Sequence, residues 1–237
     1  MSFKKNTIMP ATVYYGGVPM TFVQALLTSY RALHNLLPLQ AESSAMVNLA
    51  RTKNGKAFLK SDAEWILLLD TDMWWEPQAI IQLMKTAKEK KAKAVAGLAF
   101  MEQKGRVIPN AYAFIPDGDG GKQLAPYAVL PSMTEPFKVD GTGGSCFLVH
   151  RDVYRDVMQA SVDSANTAYY WQEDIYMPIK KEMQGEDITF CKRVTLAGYD
   201  IWYEPRALFS HLSKDRLLDV REYLAFLDRS KIEHANF

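Results

Sequence analysis

Two carboxylates one residue apart, Asp70 and Asp72, follow the apolar run Trp65-Ile66-Leu67-Leu68-Leu69. A continuous run of that kind suits a strand buried on both faces. In an open parallel sheet, ligands bind beyond the carboxyl ends of the strands, so Asp70-Thr71-Asp72 is placed to face a pocket. Carboxylate oxygens suit a hard divalent cation, Mg2+ or Mn2+. Such a cation would neutralise a diphosphate and stabilise it as a leaving group. The plainer alternative is that these acids cap the helix opened by Pro77 or bind water.

Further chemistry-bearing groups lie elsewhere in the chain. Gly185-Glu186-Asp187 stands at the start of a helical stretch. There the acids either favour the positive helix end or supply a general base for an acceptor hydroxyl. His211, in Leu208-Phe209-Ser210-His211-Leu212, is either a packed side chain or an imidazole ligand to the metal. Arg51 and Asn54 are three apart on one helix face. Arg51 suits a phosphate and Asn54 a base or ribose, unless that face is simply solvated. The turn Gly141-Thr142-Gly143-Gly144-Ser145 lets backbone approach a ligand closely, or merely enters the next strand. It lacks the Lys-Ser/Thr ending of a P-loop.

These groups need a frame to bring them together. Thr7 to Tyr15 reads as a strand ending at Gly16-Gly17, and Pro19 opens a helix with Phe22, Val23, Leu26, Leu27, Tyr30 and Leu33 at helical spacing. Ser44 starts a second helix with Met46, Leu49, Phe58 and Leu59 inward. Pro77 to about Lys91 reads as a helix and Ala94 to Phe100 as a strand. This order predicts an α/β domain with a mainly parallel sheet flanked by helices. Pro109 to Pro136 reads as an irregular excursion with one hairpin. Cys146 to Val149 follows as a strand, then Arg151 to Gln159 as a helix and Ser161 to Gln184 as a long loop. A helix over Glu186 to Ala197 is closed by Gly198. Asp200 to Glu204 then reads as a strand and Leu217 to Lys231 as a last helix. The whole chain, 1–237, reads as one domain: 8–105 a nucleotide-binding half, 106–212 an acceptor-binding half, and 213–237 a C-terminal helix.

Composition narrows the function classes. A net charge of +1 excludes a nucleic-acid binder driven by bulk charge, though not a local basic patch. The two cysteines, Cys146 and Cys191, make neither a disulfide framework nor a zinc site and read as buried thiols. No window approaches a membrane span, and residues 1–10 lack a signal-peptide core, so the sequence reads as cytoplasmic.

Taken in order, the strand ending in Tyr14-Tyr15-Gly16-Gly17, Arg51-x-x-Asn54, Asp70-Thr71-Asp72, the Gly-rich turn and strand, Gly185-Glu186-Asp187 and His211 resemble the GT-A glycosyltransferases. The likeness is to the family 2-like enzymes common in bacteriophage genomes, and covers roughly residues 8 to 212. The resemblance implies a nucleotide-binding α/β/α sandwich and transfer from a nucleotide-diphosphate sugar with Mn2+ or Mg2+. It implies Asp72 as the metal-contacting acid, Asp70 as its partner near the ribose and the metal, and His211 as an additional metal ligand. Asp187 is then the catalytic base with Glu186 beside it. Tyr14, Arg51, Asn54, Thr71, Gly143 and Gly144 fall on the donor side. An inverting displacement fits this arrangement. The opening strand lacks the acidic residue that contacts the base in many relatives, and Tyr14 and Tyr15 stand near that place. No Q-x-x-R-W motif is present, which argues against a polymer synthase.

For the acceptor, enzymes of this kind suggest hydroxymethylated pyrimidines in phage DNA. Arg51, Lys53, Lys56, Lys60 and the lysines from Lys85 to Lys93 would meet phosphates. The acceptor residues Tyr170 and Trp171, with Tyr169, would stack on a base. A cell-surface glycan or lipid-linked acceptor is the alternative. A non-catalytic nucleotide-sugar-binding module would need the acid pair but not Asp187. A nucleotidyltransferase is disfavoured by the missing Gly-rich, Lys/Arg-bearing N-terminal loop.

Overall fold

The computed structural model describes residues 4–103, 105–116, 118, 122–130, 132–165, 175–177, 182–213 and 216–235. The first half runs β1 (Lys4–Tyr14), α1 (Met20–Ala32), β2 (Gln40–Ser43), α2 (Val47–Lys60), β3 (Ala63–Asp70), β4 (Met73–Trp75), α3 (Pro77–Glu89) and β5 (Ala94–Leu98). The excursion follows as β6 (Phe100–Gln103), β7 (Arg106–Pro109), β8 (Ala111–Pro116), β9 (Lys122–Pro126), β10 (Phe137–Val139) and β11 (Gly141–Thr142). The chain then forms β12 (Cys146–His150), α4 (Arg151–Ala165), β13 (Ile175–Met177), β14 (Glu182–Gln184), α5 (Glu186–Leu196), β15 (Ile201–Ser213), β16 (Arg216–Leu218) and α6 (Val220–Ala235).

Among the described residues, nine strands make one central sheet. Its main path is β10-β15-β5-β12-β3-β1-β2, with β4 and β16 paired to the far part of β15. Strands β2, β1 and β3 run parallel to one another, as do β5 and β15. The sheet is nevertheless mixed rather than mainly parallel, because β12 runs antiparallel to both β3 and β5, and β10 antiparallel to β15. The cause is the connection: β12 is entered from a glycine turn at the cleft edge, not through a crossover helix that would return the chain to the other edge.

Alternation along the central strands fills two cores. Ile66, Leu68, Phe147 and Val149 point to one face, beneath α2, α4, α5 and α6. Trp65, Leu67, Leu69 and Leu148 point to the other, beneath α1 and α3. This is the expected α/β/α layering, and it explains why β3 is apolar without a break from Trp65 to Leu69: both of its faces are covered there. On the α1 side Phe22 packs edge-on against Trp75 at 5.4 Å, and the Trp75 indole donates to Ser29. Leu27, placed inward by the spacing, is exposed instead.

Several boundaries differ from the sequence reading. Edge strand β2 carries no strand pattern, because Gln40-Ala41-Glu42-Ser43 is short and polar. Ser44 is not the helix cap; its hydroxyl accepts the Met46 N–H in the turn before α2, and Met46 is exposed. Helix α4 continues to Ala165, and β13 and β14 pair within the stretch read as loop. Helix α5 ends as expected at Gly198, where φ is +86°. Strand β15 runs far beyond Glu204, crossing an irregularity between Glu204 and Leu208 at Pro205, and carries His211 within it. The C-terminal stretch opens with β16 before α6 begins at Val220.

Candidate active site

The carboxyl ends of β1 and β3, the glycine turn before β12, the start of α5 and the far part of β15 surround a cleft of about 390 Å³. Tyr14, Arg51, Asp70, Thr71, Asp72, Gly143, Gly144, Glu186, Asp187 and His211 all line it, from stretches scattered along the sequence. A larger apolar groove of about 600 Å³ between α1, α3 and the opposite end of β1 gathers no comparable set of acids.

Strand β3 delivers Asp70 to the cleft, and the turn into β4 delivers Asp72. Strand β15 clamps that turn: its Leu212 N–H donates to the Asp72 carbonyl at 2.7 Å, and His211 stands beside Met73 in register. The His211 ring is held at both nitrogens. Nδ1 lies 3.2 Å from the Phe100 carbonyl and Nε2 3.0 Å from Asp72 Oδ2. A carbonyl can only accept, so Nδ1 carries a proton, which leaves Nε2 for the cleft side. The hydrogen bond to Asp72 raises the His211 pKa above its ordinary value, against the opposing effect of burial.

The other oxygen, Asp72 Oδ1, is buried without a hydrogen-bond partner. A buried carboxylate oxygen without a partner costs free energy unless something else satisfies it. Together with a backbone-oriented imidazole it is a donor set that fits a divalent cation. Among the described residues, no group of three or more His, Cys, Asp or Glu side chains is arranged to hold a metal. Asp72 and His211 are the side chains that would hold a cation, with water and the donor supplying the other oxygens. Asp70, expected as a further ligand, lines the same cleft, and its Oδ1 accepts from Arg51 Nη2 at 2.8 Å. Burial raises the Asp70 pKa, and Arg51 opposes the shift.

Asp187 occupies the first turn of α5. Its Oδ1 accepts the Ile188 N–H at 2.7 Å. Burial, with Glu186 adding to it, pushes the carboxyl up to about 6, while Arg51 and the Ile188 N–H hold it down. A carboxylate poised there can take a proton near neutral pH.

Arg51 and Asn54 are both buried, which overturns the solvated-face alternative, but their roles differ from the expectation. Asn54 does not reach the cleft; its Nδ2 donates to the Thr12 carbonyl at 2.9 Å and fastens α2 to β1. Arg51 lines the cleft with its nitrogens directed at protein oxygens. Nη1 donates to the Gly144 carbonyl at 3.0 Å, and Nε lies 3.2 Å from Glu186 Oε1 without hydrogen-bond alignment. Gly144 is glycine for the same reason: a Cβ there would fall 1.6 Å from Arg51 Nη1.

Of the basic positions expected to meet phosphates, Arg51 lines the cleft and none of the lysines does. Lys53 lies 4.0 Å from Glu42 and Lys85 lies 3.8 Å from Glu89. Lys93 pairs with Asp152 at 2.7 Å, at the start of β5 and so at the sheet's opposite edge. Tyr170 and Trp171 lie outside the described residues. Both cysteines are buried and free, as expected.

Sequence reasoning missed Asn110, which also lines the cleft. Its Oδ1 accepts from the Ala99 N–H and the Tyr203 hydroxyl, while Nδ2 faces the Gly97 carbonyl, Thr142 Oγ1 and Cys146 Sγ. Nothing in the spacing around Asn110 marks it, since its partners come from four distant segments.

A layered α/β sheet with acids at the strand ends and a second acidic pair at a helix start sets a ligand site beyond the strands' carboxyl ends. The family described as "Glycosyltransferase like family 2" matches residues 22–231, and the chain belongs to it. It is a glycosyltransferase. The fold is similar to A197 from STIV, with TM-score 0.57 at 13% identity over 90% of each chain. It is also similar to GalNAc-T7, solved with UDP, GalNAc and Mn2+, with TM-score 0.56 at 12% identity over 95% of this chain. The chain spans about half of GalNAc-T7, 48% of its length. No curated protein matches the sequence. Among the described residues, no helix is long and apolar enough to cross a membrane.

Proposed function

We propose that the protein moves a sugar from a nucleoside-diphosphate sugar to an acceptor hydroxyl, with Asp187 as base and Asp72 and His211 as the protein ligands of a divalent cation. The observation that carries this reading is the unpartnered, buried Asp72 Oδ1 beside the oriented His211 ring, in the same cleft as Asp187. GalNAc-T7, which shares the fold, was solved with a nucleotide and Mn2+.

When bound, the cation neutralises charge on the departing diphosphate. Asp187 accepts the proton of the acceptor hydroxyl, and that oxygen bonds to the anomeric carbon as the bond to the diphosphate oxygen breaks. A single displacement of this kind inverts the anomeric centre. Thr71, Gly143 and Tyr14 bound the space left for the donor. The absence of lysines from the cleft lining removes one reason to favour hydroxymethylpyrimidine DNA, which stands beside a glycan or lipid-linked hydroxyl.

The test is to incubate the protein with a panel of nucleotide sugars, with Mn2+ or with a chelator, and with hydroxymethylpyrimidine DNA and glycan acceptors. Metal-dependent release of a nucleoside diphosphate, with a matching mass gain on one acceptor, is the expected result. Binding of a donor without release or transfer under every condition would instead favour a nucleotide-sugar-binding module.

A further inference from the structure

Four carboxyl side chains, Asp70, Asp72, Glu186 and Asp187, share one cleft. The guanidinium set against them comes from Arg51 in α2, which is only 5% exposed. Its nitrogens face three separate segments. Nη2 meets Asp70 at the end of β3, Nη1 meets the Gly144 carbonyl in the turn before β12, and Nε meets Glu186 at the first residue of α5. Each nitrogen already faces a protein oxygen within 3.2 Å. The turn leaves room for this side chain and for nothing larger than hydrogen at Gly144.

We propose that Arg51 is a positioning residue for the transfer reaction rather than a donor contact: one planar cation ties β3, the glycine turn and α5 together, and thereby fixes the Asp187 carboxylate relative to the Asp72–His211 pair. This rests on the glycosyltransferase reading above. A guanidinium suits the task because its donors form a rigid fork, which an ammonium lacks. Burial pulls the Arg51 pKa down, but Asp70, Glu186 and Asp187 outweigh it and the net shift is upward, so the charge persists. The groups facing Asp187 are Glu186 and Cys191 on its own helix, Arg51 from α2, Asp70 from β3 and Tyr112 from β8. Of the charged ones, Arg51 favours its ionised form, and Glu186 and Asp70 oppose it.

The experiment compares R51Q and R51K with the wild type. In R51Q the donor KM stays within about twofold, kcat falls by about 10²-fold, and the acid limb of the kcat profile moves up by about one pH unit. In R51K, which keeps a charge but loses the fork, kcat falls similarly and KM again holds. A tenfold or greater rise in donor KM with an unmoved acid limb would overturn the proposal and make Arg51 a donor contact. If R51Q does not fold, R51K decides by the same split between KM and kcat. A carboxyl-carbon NMR titration of Asp187 reads the brace without turnover. An upward shift in R51Q supports it and an unchanged midpoint sinks it. A wild type inactive on every donor would instead count against the transferase reading alone.

Discussion

Asp187 is held in a state that favours chemistry over stability. Its folded pKa of about 6 lies above the ordinary 3.8. Between those values the folded protein keeps a proton that the unfolded chain has released, so stability falls as pH rises through that window. At pH 7.5 the ionised group costs about 2–3 kcal/mol. Asp187→Asn is therefore expected to raise the melting temperature by about 5 °C at pH 7.5 and by nothing below pH 3.8, while transfer falls by about 10²–10⁴-fold with donor affinity retained. Calorimetry at the two pH values and initial rates check both halves. A variant that transfers normally would move the base to another residue. Wild-type kcat should rise with pH through an apparent pKa near 6, which a buffer series would read directly. For Asp72→Ala, donor binding should lose its dependence on Mn2+; titration with and without the metal decides the point.

At the level of elements, the site depends on segments that approach closely. Gly144→Ala would drive a methyl into the Arg51 guanidinium and is expected to cost about 1–3 kcal/mol in urea unfolding, with loss of transfer. Asn110→Ala would strand the Ala99 N–H and the Tyr203 hydroxyl and cost about 2 kcal/mol by the same measurement. Strand β3 was legible in the sequence because burial on both faces leaves an unbroken apolar run. The direction of β12 was not, since Cys146-Phe147-Leu148-Val149 reads the same either way and its neighbours are set by a turn. His211 lies inside β15 rather than beyond it, because the strand only bends at the irregularity after Glu204 and does not end there. The partnership of Arg51 with Glu186 crosses most of the chain, and no local periodicity reports it.

For the molecule as a whole, the layering and the convergence of Asp72, Asp187 and His211 on one cleft followed from motif order. The charge map did not, because the formal count cannot say that Arg51 is buried among acids or that Lys93 sits at the far edge. If Asp72 and His211 hold a cation, Mn2+ alone should stabilise the folded chain by up to about 2.7 kcal/mol at a hundredfold excess over its Kd. Thermal melts of wild type and Asp72→Ala, with and without Mn2+, test this; an equal gain in both would place the ion elsewhere.

The β8–β9 excursion leaves and returns through a tied neck. Asn110 and Thr142 stand 32 positions apart in sequence, yet Nδ2 meets Oγ1 at 3.3 Å, and the Gly143 N–H reaches the Asn110 carbonyl at 3.3 Å. A loop whose ends are knotted to each other can change length cheaply, at about 0.6 kcal/mol per doubling. Descendants of this chain, or an engineer, could graft a foreign segment between those two knots while the acid-lined cleft stays put.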